Sequence, residues 1–361
     1  MSIKTNVTKS YLPPIEAYTK YVAQIWASGW LTNNGVCVQQ LEKDLKAYLG
    51  VKHLFFTSNG TIAIQIAIKA LALKGEVITT PFSYVATTSS LVWEHCTPVF
   101  VDINEDTLNI DYTKIEAKIT PNTQAILATH VFGNPCHVTQ IQAIADKHKL
   151  KVIYDAAHAF GTQYDNQSVL NFGDISTLSF HATKIFHTIE GGAIVTNDDN
   201  LAHKISYMRN FGHNGYEEFY GVGINGKNSE FHAAMGLCIL PDIANIIVER
   251  KSIAAHYDLK LAETSAVHQK ITNDTTYNYA YYPVVLPSES AVLKVIAALN
   301  EKGINPRRYF YPSLNTLPYL AYQPCPISEG ISKRILCLPF FNTLEKETIA
   351  EIAAIVAHTL A

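Results

Sequence analysis

The amino-acid sequence predicts an α/β fold in which a mostly parallel sheet is covered by helices on both faces, followed by a smaller α+β domain. Short β-branched segments alternate with helical segments through the first half of the chain, which is the pattern of such a sheet. The chain has 361 residues, of which 48% are hydrophobic and 16% charged, so it can bury a substantial core. This composition excludes global disorder, a coiled coil and collagen.

The predicted elements alternate regularly from residue 60 to residue 155. Residues 60–74 are apolar nearly all round, which predicts a buried helix. The elements predicted after it are a strand at 76–80, a helix at 83–95, a strand at 97–103, a helix at 111–119, a strand at 124–130, a helix at 137–150 and a strand at 151–155.

The alternation changes after Asp155. Residues 174–180 and 191–196 are predicted to be two strands separated by a loop instead of a helix. Such a change often accompanies a change in strand order or direction, and ligands bind near such places in open α/β sheets.

A second domain is expected to begin near Pro241. The elements predicted there are a long helix at 242–261, a strand at 278–286 and helices at 289–302 and 344–360. The predicted domains are therefore residues 1–240, which would bind a cofactor, and a small C-terminal α+β domain at 241–361.

Charge and cysteine content exclude several classes of protein. The formal net charge is −3 with scattered Lys and Arg residues, so broad binding to nucleic acid or to a membrane surface is not expected. The six cysteines lie far apart without paired spacing, which disfavours structural disulfides and a metal site. The residues after Met1 form no apolar signal segment, and a cytoplasmic location is expected.

A small turn at residues 58–61 (SNGT) precedes the helix predicted at 60–74. Backbone N–H groups at a helix N-terminus bind anions such as phosphate, because the helix dipole adds positive charge there and a glycine allows close approach. The alternative is a plain capping turn, since Ser, Asn and Thr are all good N-caps.

Asp155 ends a predicted strand and is followed by small residues. A carboxylate at the carboxyl end of a parallel strand lies where open α/β sheets bind ligands. One interpretation is a cap for the next turn. The other is a carboxylate that holds a proton on a heteroaromatic nitrogen.

Lys184 follows the strand predicted at 174–180. Burial of an ammonium group is costly, and apolar neighbours or nearby cations lower the pKa of a lysine, as is usual for nucleophilic Schiff-base lysines. The alternative is a solvated lysine on a loop. The glycine pair Gly191 and Gly192 opens the next strand and permits close approach of backbone.

An anion-binding turn, an acidic strand end and a lysine after a strand together suit one ligand, pyridoxal 5′-phosphate (PLP). The turn would bind the phosphate, Asp155 would keep the pyridine nitrogen protonated, and Lys184 would hold the aldehyde. The histidines near this region match no standard metal spacing, so no metal is predicted.

The chain also resembles a known family, the DegT-type sugar aminotransferases of the aspartate aminotransferase superfamily, which have PLP fold type I. The resemblance covers essentially the whole chain. It rests on the segments 28–51 (SGWLTNNGVCVQQLEKDLKAYLGV), SNGT, 81–90 (PFSYVATTSS), 154–161 (YDAAHAFG), 179–184 (SFHATK) with 190–194 (EGGAI), 208–215 (MRNFGHNG) and 223–237 (GINGKNSEFHAAMGL).

The resemblance implies a role for each residue that matches a family motif. Gly60, Thr61 and Ser179 would bind the cofactor phosphate, and Tyr84 would stack on the pyridine ring with His158 beside it. Asp155 would bind the ring nitrogen and Lys184 would carry the cofactor. Asn225 resembles an asparagine that reaches the phosphate from the neighbouring subunit, which implies a homodimer with a shared active site.

The segment SFHATK followed by EGG resembles the family members that aminate a keto sugar at C4. Residues 307–312 (RRYFYP) also resemble the C4 enzymes that act on dTDP-4-keto-6-deoxyglucose, and the resemblance implies L-glutamate as donor. Such enzymes belong to deoxyamino-sugar biosynthesis, for example of lipopolysaccharide O-antigen. The candidate substrate residues are cationic or aromatic, and they are Arg209, Lys227, Arg307, Arg308 and Tyr309. Lys227 departs from the family pattern, in which an arginine is usual.

Three alternative functions remain open. A 3-keto sugar, or a UDP- or GDP-linked sugar, would be aminated by relatives of the same family. A related dehydratase would carry histidine in place of Lys184, so the lysine disfavours that activity. A non-catalytic regulatory member of the family is the third possibility.

Overall fold

The computed structural model describes residues 5–360, and its centre is a seven-stranded sheet. The strands are β1 (His53–Thr57), β2 (Glu76–Thr79), β3 (Thr97–Phe100), β4 (Thr123–Thr129), β5 (Lys151–Asp155), β6 (Ile175–Ser179) and β7 (Gly192–Thr196). Their order across the sheet is β1-β7-β6-β5-β4-β2-β3. The sequence analysis predicted all of these strands except β1, and each predicted strand begins within two residues of its expected start.

The sheet is mixed, but only one strand opposes the others. β7 pairs antiparallel with both β1 and β6, whereas the remaining neighbours pair in parallel. This confirms the expected change of direction after Asp155. In the parallel pair β5 and β6, Asp155 lies opposite Thr177, so both strands bring their carboxyl ends to the same edge.

Helices cover both faces of the sheet, as predicted. The α-helices of the described residues, including those of the C-terminal part, are α1 (Ile15–Ser28), α2 (Val36–Leu49), α3 (Gly60–Ala70), α4 (Val85–Trp93), α5 (Val138–His148), α6 (Asp199–Met208), α7 (Glu230–Ile239), α8 (Ile243–Leu261), α9 (Glu289–Glu301), α10 (Pro326–Arg334) and α11 (Lys346–Leu360). Alternate residues of one strand face opposite layers: Ile153 packs in the core of α3 and α6, whereas Val152 and Tyr154 pack in the core of α5.

The C-terminal part of the chain has its own sheet and core. Its antiparallel strands are β8 (Val267–His268), β9 (Pro283–Val285) and β10 (Ile335–Cys337). A separate apolar cluster joins this sheet to α9 and α11. Helix α8 is shared, because Ile246 packs in the large core and Tyr257 in the small one. The boundary at residues 240 and 241 stays a prediction.

Two predicted elements differ from those observed. Residues 111–119 form two short 3₁₀ turns, Tyr112–Lys114 and Glu116–Lys118, in place of one helix. Asp111 caps the first turn through its side chain, and Pro121 follows too closely for a longer helix to form. The strand predicted at 278–286 is shortened to Pro283–Val285.

One stretch, Glu230–Leu261, is long and apolar enough by length and composition alone to cross a membrane. It comprises α7, a 3₁₀ turn and α8, and half of its most apolar window is buried inside the protein. Helix α7 packs against α1 and α2, so its apolar side chains already have protein neighbours.

Candidate active site

A cleft of about 250 Å³ opens at the edge of the sheet where β4, β5 and β6 end. Open α/β sheets bind ligands at this edge. The structure brings nine of the predicted site residues together around the cleft: Gly60, Thr61, Tyr84, Asp155, His158, Ser179, Lys184, Arg307 and Tyr309. These residues come from five separate segments of the chain, and the fold places them on one site.

The turn between β1 and α3 forms one end of the cleft. Asn59 caps α3 by accepting a hydrogen bond from the N–H of Ile62 at 2.8 Å, so the capping interpretation holds for this side chain. Gly60 opens the helix, and the first N–H groups of any helix lack partners within it. Capping by Asn59 therefore leaves the N-terminus of α3 available to an anion in the cleft.

The glycines of this region are explained by close packing. A Cβ atom on Gly192 would lie 2.5 Å from the carbonyl carbon of Asn59. A Cβ atom on Gly60 would lie 3.0 Å from the Cβ of Ser179. The glycines thus let the turn and the ends of β6 and β7 approach each other, which places the Ser179 hydroxyl beside the helix N-terminus.

Asp155 lies buried at the end of β5, with 5% of its surface exposed. Its Oδ2 accepts a hydrogen bond from the Thr87 hydroxyl at 2.6 Å, and its Oδ1 accepts one from the N–H of Ala157 at 3.1 Å. Burial raises the pKa of this carboxyl group, whereas both hydrogen bonds and the charge of Lys184 lower it. Burial outweighs these opposing effects, so the pKa of Asp155 lies above its ordinary value.

Lys184 lies in the loop after β6 and is partly buried on the wall of the cleft. Burial lowers the pKa of its ammonium group to about 8; Asp155 opposes that shift, and the positive charge of Arg307 adds to it. Its Nζ atom is 5.9 Å from the centre of the Tyr281 ring. A lysine with this pKa exists in both protonation states near neutral pH, as proton transfer requires.

Aromatic side chains form the opposite wall. His158 is buried and lies parallel to Phe310, with 5.6 Å between ring centres. Its Nδ1 has no hydrogen-bond partner among residues 5–360, and burial lowers its pKa well below the ordinary value. Tyr84 and Tyr309 face each other at 6.2 Å, and the guanidinium group of Arg307 lies over the Tyr309 ring.

Four predicted residues lie outside the cleft of their own chain. Arg209 pairs with Glu42 and donates to the carbonyl oxygen of Phe56 at 3.0 Å. Arg308 pairs with Glu289 at 2.6 Å. These two arginines are held by partners within the chain. The structure therefore does not place them at the cleft, where the sequence analysis expected them.

Lys227 and Asn225 lie on a loop before α7. The Lys227 ammonium group sits over the Phe211 ring at 4.4 Å, and Asn225 is exposed and bridges to the backbone of Asn210. The cleft of the same chain is formed without them. Their roles in binding cofactor or substrate stay predictions, and so do those of Arg209 and Arg308.

The sequence interpretation missed three polar residues next to Asp155. They are Ser83, Thr87 and Thr129, all buried and linked to one another by their hydroxyl groups. Ser83 and Thr87 are four residues apart, with Thr87 in the first turn of α4 and Ser83 two residues before that helix begins. That spacing is visible in the sequence, but the contact with Asp155 depends on the fold.

Comparison with known proteins gives the site a chemical context. A family model described as the DegT/DnrJ/EryC1/StrS aminotransferase family matches residues 15–357. The chain belongs to this family. It is therefore an aminotransferase, an enzyme of PLP fold type I, and the resemblance found in the sequence motifs is confirmed.

Individual members of the family resemble the chain over nearly its full length. It is 42% identical over 357 residues to a dTDP-4-amino-4,6-dideoxy-D-glucose transaminase of Shigella dysenteriae, covering 96% of this chain and 97% of the relative. A protein of the same name from Escherichia coli is 40% identical, with 96% of each chain covered. The solved structure of DesI, determined in the presence of its TDP-sugar product, matches with a TM-score of 0.93 and 32% identity, covering 99% of this chain and 93% of DesI.

The cofactor of this aminotransferase family is PLP, and the cleft fits that molecule. The helix N-terminus and the Ser179 hydroxyl suit a phosphate, and the buried carboxylate of Asp155 suits a protonated ring nitrogen. Nδ1 of His158 is buried and has no hydrogen-bond partner among the described residues, and a ligand in the cleft would supply one. Lys184, with its lowered pKa, is chemically suited to an aldehyde.

Proposed function

We propose that the enzyme transfers the amino group of L-glutamate to C4 of dTDP-4-keto-6-deoxy-D-glucose. The products would be 2-oxoglutarate and dTDP-4-amino-4,6-dideoxy-D-glucose. The observation that carries this proposal is the convergence of the α3 N-terminus, Asp155 and Lys184 on one cleft. The choice of sugar is supported by the two transaminases to which the chain is 42% and 40% identical.

Each side of the cleft would hold a different part of PLP. Gly60, Thr61 and Ser179 would bind the phosphate at the N-terminus of α3. Tyr84 and His158 would contact the ring, Asp155 would bind the ring nitrogen and Lys184 would hold the aldehyde. When bound, PLP supplies an electron sink that stabilises negative charge on the carbon bearing the amino group.

Lys184 would move the protons of both half-reactions. Its Nζ would accept a proton from Cα of glutamate in the first half-reaction and deliver one to C4 of the sugar in the second. A pKa of about 8 suits both directions, because neither the ammonium nor the amine form is scarce near neutral pH. Asp155 would stay ionised throughout and keep the ring nitrogen protonated.

Arg307 would provide charge for the anionic substrates. The chain as a whole is slightly acidic, with a formal net charge of −3, so the diphosphate of a sugar nucleotide needs local positive charge. Arg307 is exposed at the cleft and lies over the ring of Tyr309. Its guanidinium N–H groups would donate to phosphate oxygens or to a carboxylate.

We further propose that two copies of the chain form a homodimer in the cytoplasm and share their active sites. Several large apolar side chains near Asn225 are exposed, among them Phe219 at 61% and Val222 at 87%. Exposed apolar groups of this kind support a protein interface. Asn225 would then reach the phosphate of the neighbouring subunit, with Lys227 and Arg209 close to it in the chain.

The decisive experiment is incubation of the purified enzyme with L-glutamate and a panel of 3-keto and 4-keto sugars linked to dTDP, UDP or GDP. Mass spectrometry would identify the aminated product, and NMR would give the position and configuration of the amine. Amination of the dTDP-linked 4-keto sugar is expected. Preference for a 3-keto sugar or another nucleotide would contradict the proposed substrate, and absence of any glutamate-dependent spectral change would contradict catalysis altogether.

Lys184→Ala supplies the matched control for that experiment. The variant lacks the amine that holds the cofactor and moves the protons, so it should show neither turnover nor the absorbance of PLP joined covalently to the lysine. Full activity in Lys184→Ala would show that the chemistry has been assigned to the wrong residue.

A further inference from the structure

A line of three buried hydroxyl groups leads to the carboxylate of Asp155. The Thr129 hydroxyl donates to Oγ of Ser83 at 3.0 Å. Oγ of Ser83 lies 2.7 Å from Oγ1 of Thr87, which in turn donates to Oδ2 of Asp155 at 2.6 Å. All three hydroxyl residues are at most 3% exposed.

The hydrogen bonds of this line run in one direction. An ionised carboxylate only accepts, so Thr87 must use its single proton toward Asp155. The bond between Ser83 and Thr87 then has Ser83 as donor, and Thr129 donates to Ser83. Ser83 and Thr87 thus each accept one bond and donate the next, and such chains strengthen by mutual polarisation.

Burial alone does not require this pairing. Thr88 and Ser90 are buried on the same helix, and their hydroxyl oxygens have no hydrogen-bond partner within residues 5–360. Helix α4 therefore tolerates buried hydroxyls without partners in the described part of the chain, whereas the Thr87 hydroxyl of the same helix is bonded to both Asp155 and Ser83. Ser83 and Thr129 line the cleft, whereas Thr87 is absent from its lining residues in the described part of the chain, so Thr87 acts through Asp155.

We propose that the series Thr129, Ser83 and Thr87 is a positioning device that fixes Oδ2 of Asp155 and keeps the carboxylate ionised. The remaining lone pairs of Asp155 are then available to a protonated ring nitrogen in the cleft. This inference rests on the proposed function, in which Asp155 binds the nitrogen of PLP. Thr87 is the key residue, because among these three hydroxyl residues it is the one that donates to the carboxylate.

The test compares three variants by their binding of PLP. Cofactor-free Thr87→Val, Thr87→Ser and Thr88→Val are titrated with PLP and followed by absorbance, and the pH dependence of the affinity is recorded. Thr87→Val should bind PLP about tenfold more weakly, since one hydrogen bond to a charged group contributes about a power of ten to an equilibrium constant. Thr87→Ser keeps the hydroxyl and should resemble the wild type, as should the control Thr88→Val.

The pH profile separates positioning from simple structural support. Without the Thr87 hydroxyl the ionised carboxylate is less stable, so the pKa of Asp155 rises and affinity is lost at a higher pH as the solution is acidified. A general loss of fold would lower the melting temperature of the cofactor-free protein without moving this midpoint. An unmoved midpoint in Thr87→Val, or an equal change in Thr88→Val, would overturn the proposal.

Two further results keep the inference testable. If Thr87→Val does not fold, Ser83→Ala removes the preceding donor and should move the midpoint in the same direction by a smaller amount; no movement in Ser83→Ala would overturn the proposal. Failure of the wild type to bind PLP would instead overturn the proposed function itself.

Discussion

At the scale of single residues, the charges around Lys184 determine when its amine is neutral. Burial and the neighbouring guanidinium group of Arg307 lower the pKa of Lys184 to about 8, while Asp155 opposes them. Protonated Lys184 is not a nucleophile. Covalent uptake of PLP by the cofactor-free protein should therefore accelerate as the pH rises through about 8.

The first prediction concerns Arg307→Gln. Removal of this positive charge removes one of the causes that lower the pKa of Lys184, so the midpoint of PLP uptake should move to higher pH. The measurement is the rate of the absorbance change at a series of pH values. Arg308→Gln is the matched control, because Arg308 pairs with Glu289 outside the cleft. Equal midpoints for Arg307→Gln and the wild type would contradict the electrostatic account of Lys184.

A second prediction concerns Asp155→Asn. The amide keeps the size of the side chain but loses the negative charge that stabilises a protonated ring nitrogen. The variant should retain some cofactor, because the phosphate and lysine contacts remain, yet lose most of its turnover. Spectroscopic titration of bound PLP and steady-state rates with glutamate provide the measurements. Wild-type turnover in Asp155→Asn would remove the role assigned to this carboxylate.

The sequence predicts a functional residue when its position relative to the end of a strand is enough to place it at the site. Asp155 and Lys184 could be predicted because each follows a strand of the sheet, and such positions share one edge. The position of Arg209 could not be predicted, since its partner Glu42 lies 167 residues earlier in the chain. The hydroxyl contact between Thr87 and Asp155 likewise spans 68 residues and arises only in the folded protein.

At the scale of elements, the close packing of β7 against the start of α3 shapes the anion-binding turn. Gly192 leaves no room for a side chain, because its Cβ would lie 2.5 Å from the carbonyl carbon of Asn59. A methyl group at position 192 would therefore force the backbone of Asn59 and Gly60 to move. The lack of a side chain at Gly192 thus allows β7 to pack closely against the turn that would bind the phosphate.

The third prediction is that Gly192→Ala damages phosphate binding. Overpacking at this contact should destabilise the protein by about 1–3 kcal/mol and displace the N-terminus of α3. Affinity for PLP should fall more than affinity for pyridoxal, which lacks the phosphate. Both affinities are measured by titration, together with the melting temperature.

Gly330→Ala is the control for Gly192→Ala. A Cβ atom at Gly330 meets no atom within 4 Å, and the residue lies inside α10. Alanine favours a helix over glycine by about 1 kcal/mol, so this variant should be as stable as the wild type or slightly more stable. An unchanged ratio of the two affinities in Gly192→Ala would show that this packing does not position the phosphate site.

The order of strands and helices was largely predictable because hydrophobic period and turn residues are local signals. The failures are short elements. Residues 111–119 lack the length of an amphipathic helix and form two 3₁₀ turns after Asp111. The strand predicted at 278–286 shrinks to Pro283–Val285, and the residues before it pack in an apolar cluster, where Tyr281 contacts His158.

At the scale of the whole molecule, the low charge and the exposed apolar residues fit an enzyme whose active site is completed by a second copy. The cleft of one chain contains Lys184 and Asp155 but not Asn225, which is exposed on the loop before α7. Under the proposed homodimer, Lys184 and Asn225 of one site come from different subunits. Under a monomeric enzyme, Asn225 would have no part in the site.

The last prediction distinguishes these two arrangements by mixing inactive chains. Lys184→Ala removes the catalytic amine, and Asn225→Asp places a negative charge against the phosphate. If the site is shared, a mixed dimer has one site with both defects and one site with neither, so unfolding and refolding the two variants together should restore part of the activity. If each site belongs to one chain, every site in the mixture carries a defect and no activity returns. Each variant refolded alone is the control, and sedimentation of the mixture verifies that dimers have formed.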